Sequence, residues 1–203
     1  MVNILAIAGY PCTGKTTFMR ELIEALGGLP DRSERKRSLL EYHLIHPTAT
    51  THGDVVVFGK YSGDDTFGGT DKLSMAVEAD AEDFISRPPA GINAVMFEGD
   101  RLATAAFLRH INSTKQPLRL IVLKIEDALL KERRADREFA VGKSQDATWL
   151  KGRESKVDTL AQNFFGELKY IDTEEQITLH IEELKKWLLG ASPATTKKPG
   201  RLF

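Results

Sequence analysis

The stretch GYPCTGKTT, residues 9–17, directly follows a short apolar run near the start of the chain. Gly9, Gly14, Lys15 and Thr16 meet the spacing of a phosphate-binding (Walker A) loop between a strand and a helix. In such a loop, successive backbone N–H groups point into one concavity, and the positive end of the helix dipole favours an anionic phosphate chain. The lysine can reach the β- and γ-phosphates, and the threonine hydroxyl can ligate Mg²⁺. The sequence therefore predicts a nucleoside triphosphate site.

The residues predicted to bind the nucleotide include most of the loop and two arginines from a later helix. They are Gly9, Pro11, Cys12, Thr13, Gly14, Lys15, Thr16, Thr17, Arg133 and Arg137. Lys15 is also a predicted catalytic residue, because its charge can stabilise the transferring phosphoryl group.

A second stretch, NAVMFEGDRLA at residues 93–103, places Glu98 at the carboxyl end of an apolar strand, followed by Asp100 and Arg101. Ligands of open α/β sheets bind at that edge. One carboxylate can organise Mg²⁺ and the other can accept the proton of an attacking hydroxyl, while Arg101 neutralises phosphoryl charge. The pattern predicts Glu98, Asp100 and Arg101 as catalytic, with Thr16 and Asp100 at the metal. It leaves open which acid takes the proton, and a plain salt bridge at a turn is the alternative.

The third stretch is basic. Arg133, Arg134 and Arg137 are spaced to share one face of a helix, and Lys151, Arg153 and Lys156 follow a polar connection. Phosphoryl transfer needs water excluded and the moving group held, which an arginine-bearing lid achieves. We therefore predict a lid segment at about residues 133–156. A solvated helix surface is the alternative interpretation.

The binding site for the molecule that accepts the phosphoryl group is predicted in the segment 59–77, which contains four glycines. Glycine allows close backbone approach to a ligand, and aromatic rings stack on bases. The predicted substrate-binding residues are Tyr61, Phe67, Thr70, Asp71, Lys72, Lys151 and Arg153. A flexible surface loop would carry the same composition.

The elements that must position these residues alternate between strands and helices. Apolar runs predict strands at about 2–8, 40–46, 54–59, 92–98, 118–125 and 167–171, and helical periodicity predicts five helices between or after them. This order indicates an α/β fold, a three-layer sandwich of the P-loop kinase type with a largely parallel sheet and a lid. We expect one domain at 1–189 and a flexible basic tail at 190–203.

Composition bears on the cellular location and the partners of the protein. Its 203 residues carry a formal net charge of -1, which neither favours nor excludes a nucleic-acid partner. The lone Cys12 cannot form a disulfide within the chain, and the sequence has no apolar run of membrane-spanning length. The expectation is a cytoplasmic protein without a membrane partner.

The stretches GYPCTGKTT, FGGTDKLSMAV, FEGDRLA and TWLKGRESKV together resemble phage-encoded P-loop kinases that phosphorylate hydroxymethyl-deoxyuridine in DNA, a step towards hypermodified thymidines. The resemblance covers about residues 4–165, and GGTDKLSMAV is its specific part. It implies ATP and Mg²⁺ as cofactors, modified DNA as substrate and a phage-infected host cell as setting. Basic residues would then follow the DNA backbone while Tyr61 or Phe67 receives an unstacked base. Those basic residues are Arg32, Arg35, Lys36, Arg37, Lys151, Arg153 and Lys156.

Two other hypotheses remain at this stage. A kinase of free deoxynucleosides or their monophosphates would use the same loop and acids. A nucleotide-dependent switch or remodeller would use the loop alone, although the chain lacks the Asn-Lys-x-Asp pattern of guanine-specific switches. The sequence leaves open ATP against GTP as donor, the strand and sequence preference, and the oligomeric state.

Overall fold

The computed structural model describes residues 1–31, 33–47, 53–61, 68–142, 144–164, 166–172 and 174–190. The predictions for Arg32, for Phe67 and for nearly all of the basic tail lie outside the described residues.

The fold is built on one seven-stranded sheet with the order β2-β3-β4-β5-β1-β6-β7. The strands β4, β5, β1, β6 and β7 are parallel, whereas β2 and β3 form an antiparallel extension at one edge. The strands are β1 Asn3–Gly9, β2 Glu34–Arg37, β3 Leu40–Ile45, β4 Asp54–Phe58, β5 Ile92–Glu98, β6 Leu118–Leu123 and β7 Glu167–Ile171. The helices are α1 Lys15–Ala25, α2 Glu78–Ser86, α3 Ala105–Ser113, α4 Asp127–Val141, α5 Ala147–Gln162 and α6 Glu174–Leu188.

Both faces of the sheet are covered, which confirms the predicted three-layer α/β architecture. Alternate residues of β1 enter opposite cores: Ile4 packs with α2, α3 and α5, and Leu5 packs with α1 and α6. Because the central strands are buried on both faces, they appear in the sequence as continuous apolar runs rather than alternating ones.

Two elements differ from the sequence-based expectation. The segment Glu34–Arg37, for which no strand was predicted, forms the edge strand β2, which pairs with β3 from Arg37↔Leu40 to Glu34↔His43. Such a hairpin depends on cross-strand pairing that local periodicity does not reveal. Helix α3 was not predicted; the Thr104 side chain caps its first turn by accepting a hydrogen bond from the Phe107 N–H at 3.0 Å.

Neighbouring parallel strands bring the phosphate-binding loop and the predicted acid together. Strand β5 pairs with β1 so that Ile7 lies opposite Glu98, and the Gly99 N–H donates to the Ile7 carbonyl at 3.0 Å. Both strands end at the same edge of the sheet. The predicted lid at 133–156 falls on α4, α5 and their connection, while the domain limits stay a prediction. None of the described helices is long and apolar enough to cross a membrane.

Candidate functional site

The phosphate-binding loop runs from the end of β1 to the start of α1. Gly14 precedes the helix with a left-handed φ of 90°, which favours glycine. At Gly9 a Cβ would lie 2.6 Å from the Thr13 Oγ1 and 2.9 Å from the Leu123 carbonyl oxygen, so only glycine fits there without movement. All the predicted loop residues therefore lie in one tight turn at the amino end of α1.

Lys15 is held by the loop itself. Its Nζ donates to the carbonyl oxygens of Gly9 at 3.0 Å and Tyr10 at 3.1 Å. The Tyr10 carbonyl also accepts from the Thr13 hydroxyl at 2.9 Å. These bonds fold the loop around the ammonium group and keep its positive charge at the mouth of the turn.

Glu98 lies against the loop and is buried, with 3% of its surface exposed. The Thr16 hydroxyl donates to the Glu98 Oε1 at 2.9 Å, although the two residues are 82 positions apart in sequence. Burial raises the pKa of Glu98 to about 7; the Lys15 ammonium and the Thr16 hydroxyl oppose that rise, and the Asp71 and Asp100 carboxylates add to it. A carboxyl group that changes charge near neutral pH therefore sits beside the loop.

The segment Gly68-Gly69-Thr70 covers this carboxyl group. Gly69 has φ 91° and ψ -157°, a conformation essentially restricted to glycine, and a Cβ there would lie 2.2 Å from the Glu98 Oε1. The Thr70 hydroxyl donates to the Glu98 backbone carbonyl, and Gly69 pairs with Lys60 through two backbone hydrogen bonds of 2.7 and 3.1 Å. Close packing on the acid thus explains the glycine at position 69, whereas a Cβ at Gly68 would lie 3.1 Å from the Lys60 carbonyl oxygen.

Replacing Gly69 by alanine should displace this segment from Glu98. The added methyl group meets the carboxylate oxygen, and the backbone conformation is strained for any residue with a Cβ. We expect the free energy of unfolding to fall by about 2 kcal/mol and phosphoryl transfer by about tenfold. Urea unfolding and initial rates measure the two effects. Gly91→Ala is the matched control because Gly91 has nearly the same φ, 88°, but a Cβ there meets nothing within 4 Å; an equal loss of phosphoryl transfer in both variants would contradict the packing argument.

Tyr61 is buried at 6% exposure, which differs from the expected exposed aromatic surface. Its backbone N–H donates to the His43 Nε2 at 3.1 Å, and the other ring nitrogen of His43 bonds the Ser33 hydroxyl at 2.9 Å. Burial, then the Glu98 charge, raises the pKa of Tyr61 well above its usual value. The ring is enclosed because Tyr61, three residues after the end of β4, lies beneath Gly68 and Gly69. A substrate-binding role for Tyr61 stays a prediction.

Asp71, Lys72 and Arg101 lie on the rim beyond Glu98. Asp71 and Lys72 are exposed in a short 3₁₀ turn, Thr70–Lys72. The Arg101 guanidinium donates to the Asp71 backbone carbonyl at 3.2 Å, which fixes the arginine against the Thr70–Lys72 turn. The structure thus joins two stretches that the sequence analysis had treated separately.

Asp100 has a different partner from the one predicted. Its carboxylate pairs with the Arg153 guanidinium of α5 at 2.8 Å, whereas Glu98 is the acid that contacts Thr16. The predicted role of Asp100 beside Thr16 at the metal stays a prediction. Asp100 lies beyond the end of β5, so its direction is set by the turn at Gly99, which has φ 89°, and the sequence does not specify that turn.

Helix α4, in the predicted lid segment, contacts the phosphate-binding loop. The Arg133 Nη1 lies 3.3 Å from the position a Gly14 Cβ would occupy, and the Arg137 guanidinium contacts the Cys12 Sγ at 3.9 Å. Arg134 pairs with Glu154 at 2.6 Å and so joins α4 to α5. Both arginines predicted to bind the nucleotide are therefore at the loop, while Lys151 is exposed on α5.

A contact between the loop and the lid was missed by sequence reasoning. The Tyr10 hydroxyl donates to the Asp158 carboxylate of α5 at 2.7 Å, and burial together with this hydrogen bond raises the pKa of Tyr10 to about 12. Tyr10 stands at a position where the loop pattern allows any residue, so the pattern did not indicate this contact. The contact attaches α5 to the residue whose carbonyl holds Lys15.

One comparison with known proteins identifies a family. A family model described as P-loop Nucleotide Kinase3 matches residues 2–188, which include the loop, Glu98 and both lid helices. No curated protein matches the chain. An unliganded sugar kinase from Janibacter sp. HTCC2649 is 14% identical, with 97% of this chain and 100% of that chain covered and a TM-score of 0.47. An uncharacterized protein from Eubacterium ventriosum ATCC 27560 is 11% identical, with 93% and 98% covered and a TM-score of 0.43.

Proposed function

The chain belongs to the P-loop nucleotide kinase family described as P-loop Nucleotide Kinase3, and we propose that it transfers the γ-phosphate of ATP to the hydroxymethyl group of hydroxymethyluracil in phage DNA. The product would be a phosphorylated base on the way to a hypermodified thymidine. The family supports nucleotide-dependent phosphoryl transfer, and the acceptor is the proposed part.

The observation that carries the proposal is the enclosure of the Glu98 carboxyl group between Thr16 and Gly69. One side of this acid is the phosphate-binding loop, and the other is the GGTDKLSMAV segment on which the resemblance to hydroxymethyl-deoxyuridine kinases rests. Donor and acceptor elements therefore meet at a single carboxyl group, as transfer between two bound substrates requires.

The loop and lid residues would act on the donor. Lys15, Arg133 and Arg137 place positive charge around the loop, where the triphosphate would lie. In the transfer, the acceptor oxygen forms a bond to the γ-phosphorus while the bond to the β–γ bridging oxygen breaks, and ADP leaves. Fixed cations stabilise the charge that spreads over the phosphoryl oxygens in this step.

The residues beside the loop fit Mg²⁺. A threonine hydroxyl and a carboxylate oxygen, 2.9 Å apart, are the hard oxygen donors that this ion prefers. Within the described residues no group of three or more His, Cys, Asp or Glu side chains could hold a metal by itself. Thr16 and Glu98 would hold the ion together with the substrate phosphates, and it would supply further neutralisation of phosphoryl charge.

Asp100 would then accept the proton of the acceptor's hydroxyl group. This carboxylate follows Glu98 by two residues at the same edge and is oriented by Arg153. The hydroxymethyl oxygen would give its proton to Asp100 as it bonds to phosphorus.

Exposed basic residues support a polymeric acceptor. Arg35 and Lys36 lie on the edge strand β2, and Lys151 and Lys156 lie on α5. A DNA strand presents many phosphates to such residues, whereas a free nucleotide needs fewer of them.

The test compares three acceptors under one set of conditions. Labelled ATP is supplied with hydroxymethyluracil-containing DNA, with thymine DNA of the same sequence and with free 5-hydroxymethyl-deoxyuridine. Label on the first alone is expected, and transfer should weaken steeply with salt. Label mainly on the free nucleoside, with little salt dependence, would instead establish the deoxynucleoside kinase alternative. ATP turnover that needs no hydroxyl acceptor would refute both.

A further inference from the structure

One face of α5 carries an exposed aromatic ring beside basic side chains. Trp149, Gly152, Arg153 and Lys156 are spaced i, i+3, i+4 and i+7, so they share one side of the helix. Trp149 is 43% exposed and Lys156 is exposed. We call these four residues the α5 face.

Gly152 has no role within the described residues that would account for its position. It lies in the interior of a 16-residue helix, where glycine is less favourable than alanine, and a Cβ there would meet nothing within 4 Å. Neither a left-handed backbone nor close packing requires it. Because glycine has no side chain, another molecule's backbone can approach the helix closely at this position.

The α5 face is continuous with the acceptor side of the site. The Arg153 guanidinium pairs with Asp100 at 2.8 Å and also lies 5.2 Å from the centre of the Trp149 ring. One side chain therefore links Trp149 to the acid assigned to the acceptor proton. The donor side is contacted by α4 instead, through Arg133 and Arg137.

We propose that the α5 face binds the DNA strand that carries the acceptor, with an unpaired base stacked on Trp149 and the sugar-phosphate backbone crossing the helix at Gly152. The inference rests on the proposed function, because it specifies where the polymeric acceptor lies. Stacking on an aromatic ring tolerates any base, and Lys156 supplies the charge that complements the phosphates. In a two-fold dimer through this face Lys156 would meet the same positive charge on the other copy, which disfavours that occupant.

The test uses the two tryptophans of the chain, Trp149 and Trp187, of which Trp187 is 8% exposed. A short single-stranded oligonucleotide containing hydroxymethyluracil should quench the wild-type fluorescence, and Trp149→Phe should abolish the quenching. In steady-state assays, Trp149→Ala and Gly152→Leu should each raise the KM for DNA at least tenfold, with the KM for ATP unchanged. Thermal melting of Gly152→Leu should show no loss of stability, because leucine favours the helix.

Phe139→Ala is the matched control, since Phe139 is 92% exposed on α4 and lies outside the α5 face; its KM for DNA should stay within twofold of the wild-type value. The inference is overturned if Trp149→Ala raises the KM for ATP instead, which would place the donor base on the ring, or if the wild type shows no quenching. Dissociation of a dimer on substitution would also overturn it.

The fluorescence and transfer measurements distinguish failure of the proposed function from failure of the α5 face. Quenching that is lost in Trp149→Phe supports the α5 face even if no phosphate reaches DNA. Transfer to DNA with a wild-type KM in both α5 variants overturns the α5 face alone.

Discussion

Replacing Lys15 by alanine should slow phosphoryl transfer by on the order of 10²-fold or more at modest cost to folding. The ammonium group is the cation held at the mouth of the loop by the Gly9 and Tyr10 carbonyls, and its removal takes away a charge that faces the transferring phosphoryl group. It also removes a charge that favours the ionised form of Glu98, so the pKa of Glu98 should rise further. Initial rates with saturating acceptor measure the loss.

The control for Lys15 is Lys186→Ala, which removes the same charge from an exposed position on α6. Its rate should match the wild type, and thermal melting should show both variants folded. A Lys15→Ala rate within tenfold of the wild type would contradict the assignment of the loop to the transferring phosphate.

Replacing Glu98 by glutamine should lower transfer by about 10²-fold, because the amide can still accept the Thr16 hydroxyl but carries no charge. The comparison is Asp100→Asn. If Glu98 binds Mg²⁺, a higher Mg²⁺ concentration should partly restore the transfer rate of the wild-type enzyme at low pH. It should not restore the rate of Glu98→Gln. Wild-type turnover in Glu98→Gln would refute the role of this acid.

The same substitution should make the protein more stable at alkaline pH. The folded pKa of Glu98, about 7, lies above its ordinary value of 4.5, so the folded state holds the proton more tightly than the unfolded chain does. The wild-type free energy of unfolding should therefore fall as pH rises from about 4.5 through 7, by about 3 kcal/mol. Glutamine removes this loss.

Urea unfolding at pH 5 and pH 8, with a chelator present, measures the difference. Glu98→Gln should gain stability over the wild type at pH 8 and much less at pH 5. A stability difference that does not depend on pH would contradict the raised pKa. An inactive variant that is more stable than the wild type would show that the buried charge is kept for function at the expense of stability.

The phosphate-binding loop and the sheet class could be predicted because their signals are local. The spacing of Gly9, Gly14, Lys15 and Thr16 determines the turn by itself, since glycine is needed where a Cβ would collide or φ is positive. Buried parallel strands require continuous apolar runs, so the central strands β4, β5, β1 and β6, and with them the architecture, followed from the sequence. The edge strand β2 did not, because its basic residues gain strand structure only by pairing with β3.

The partners within the site were decided by the tertiary structure. The contact of Thr16 with Glu98 depends on β5 lying next to β1, and the pairing of Asp100 with Arg153 depends on where α5 crosses the sheet edge. Burial of Tyr61 beneath Gly69 likewise depends on the path of a distant segment. A sequence specifies which side chains can do chemistry through composition and spacing over a few residues. Which of them face each other is set by strand order and register, which join positions far apart in the chain.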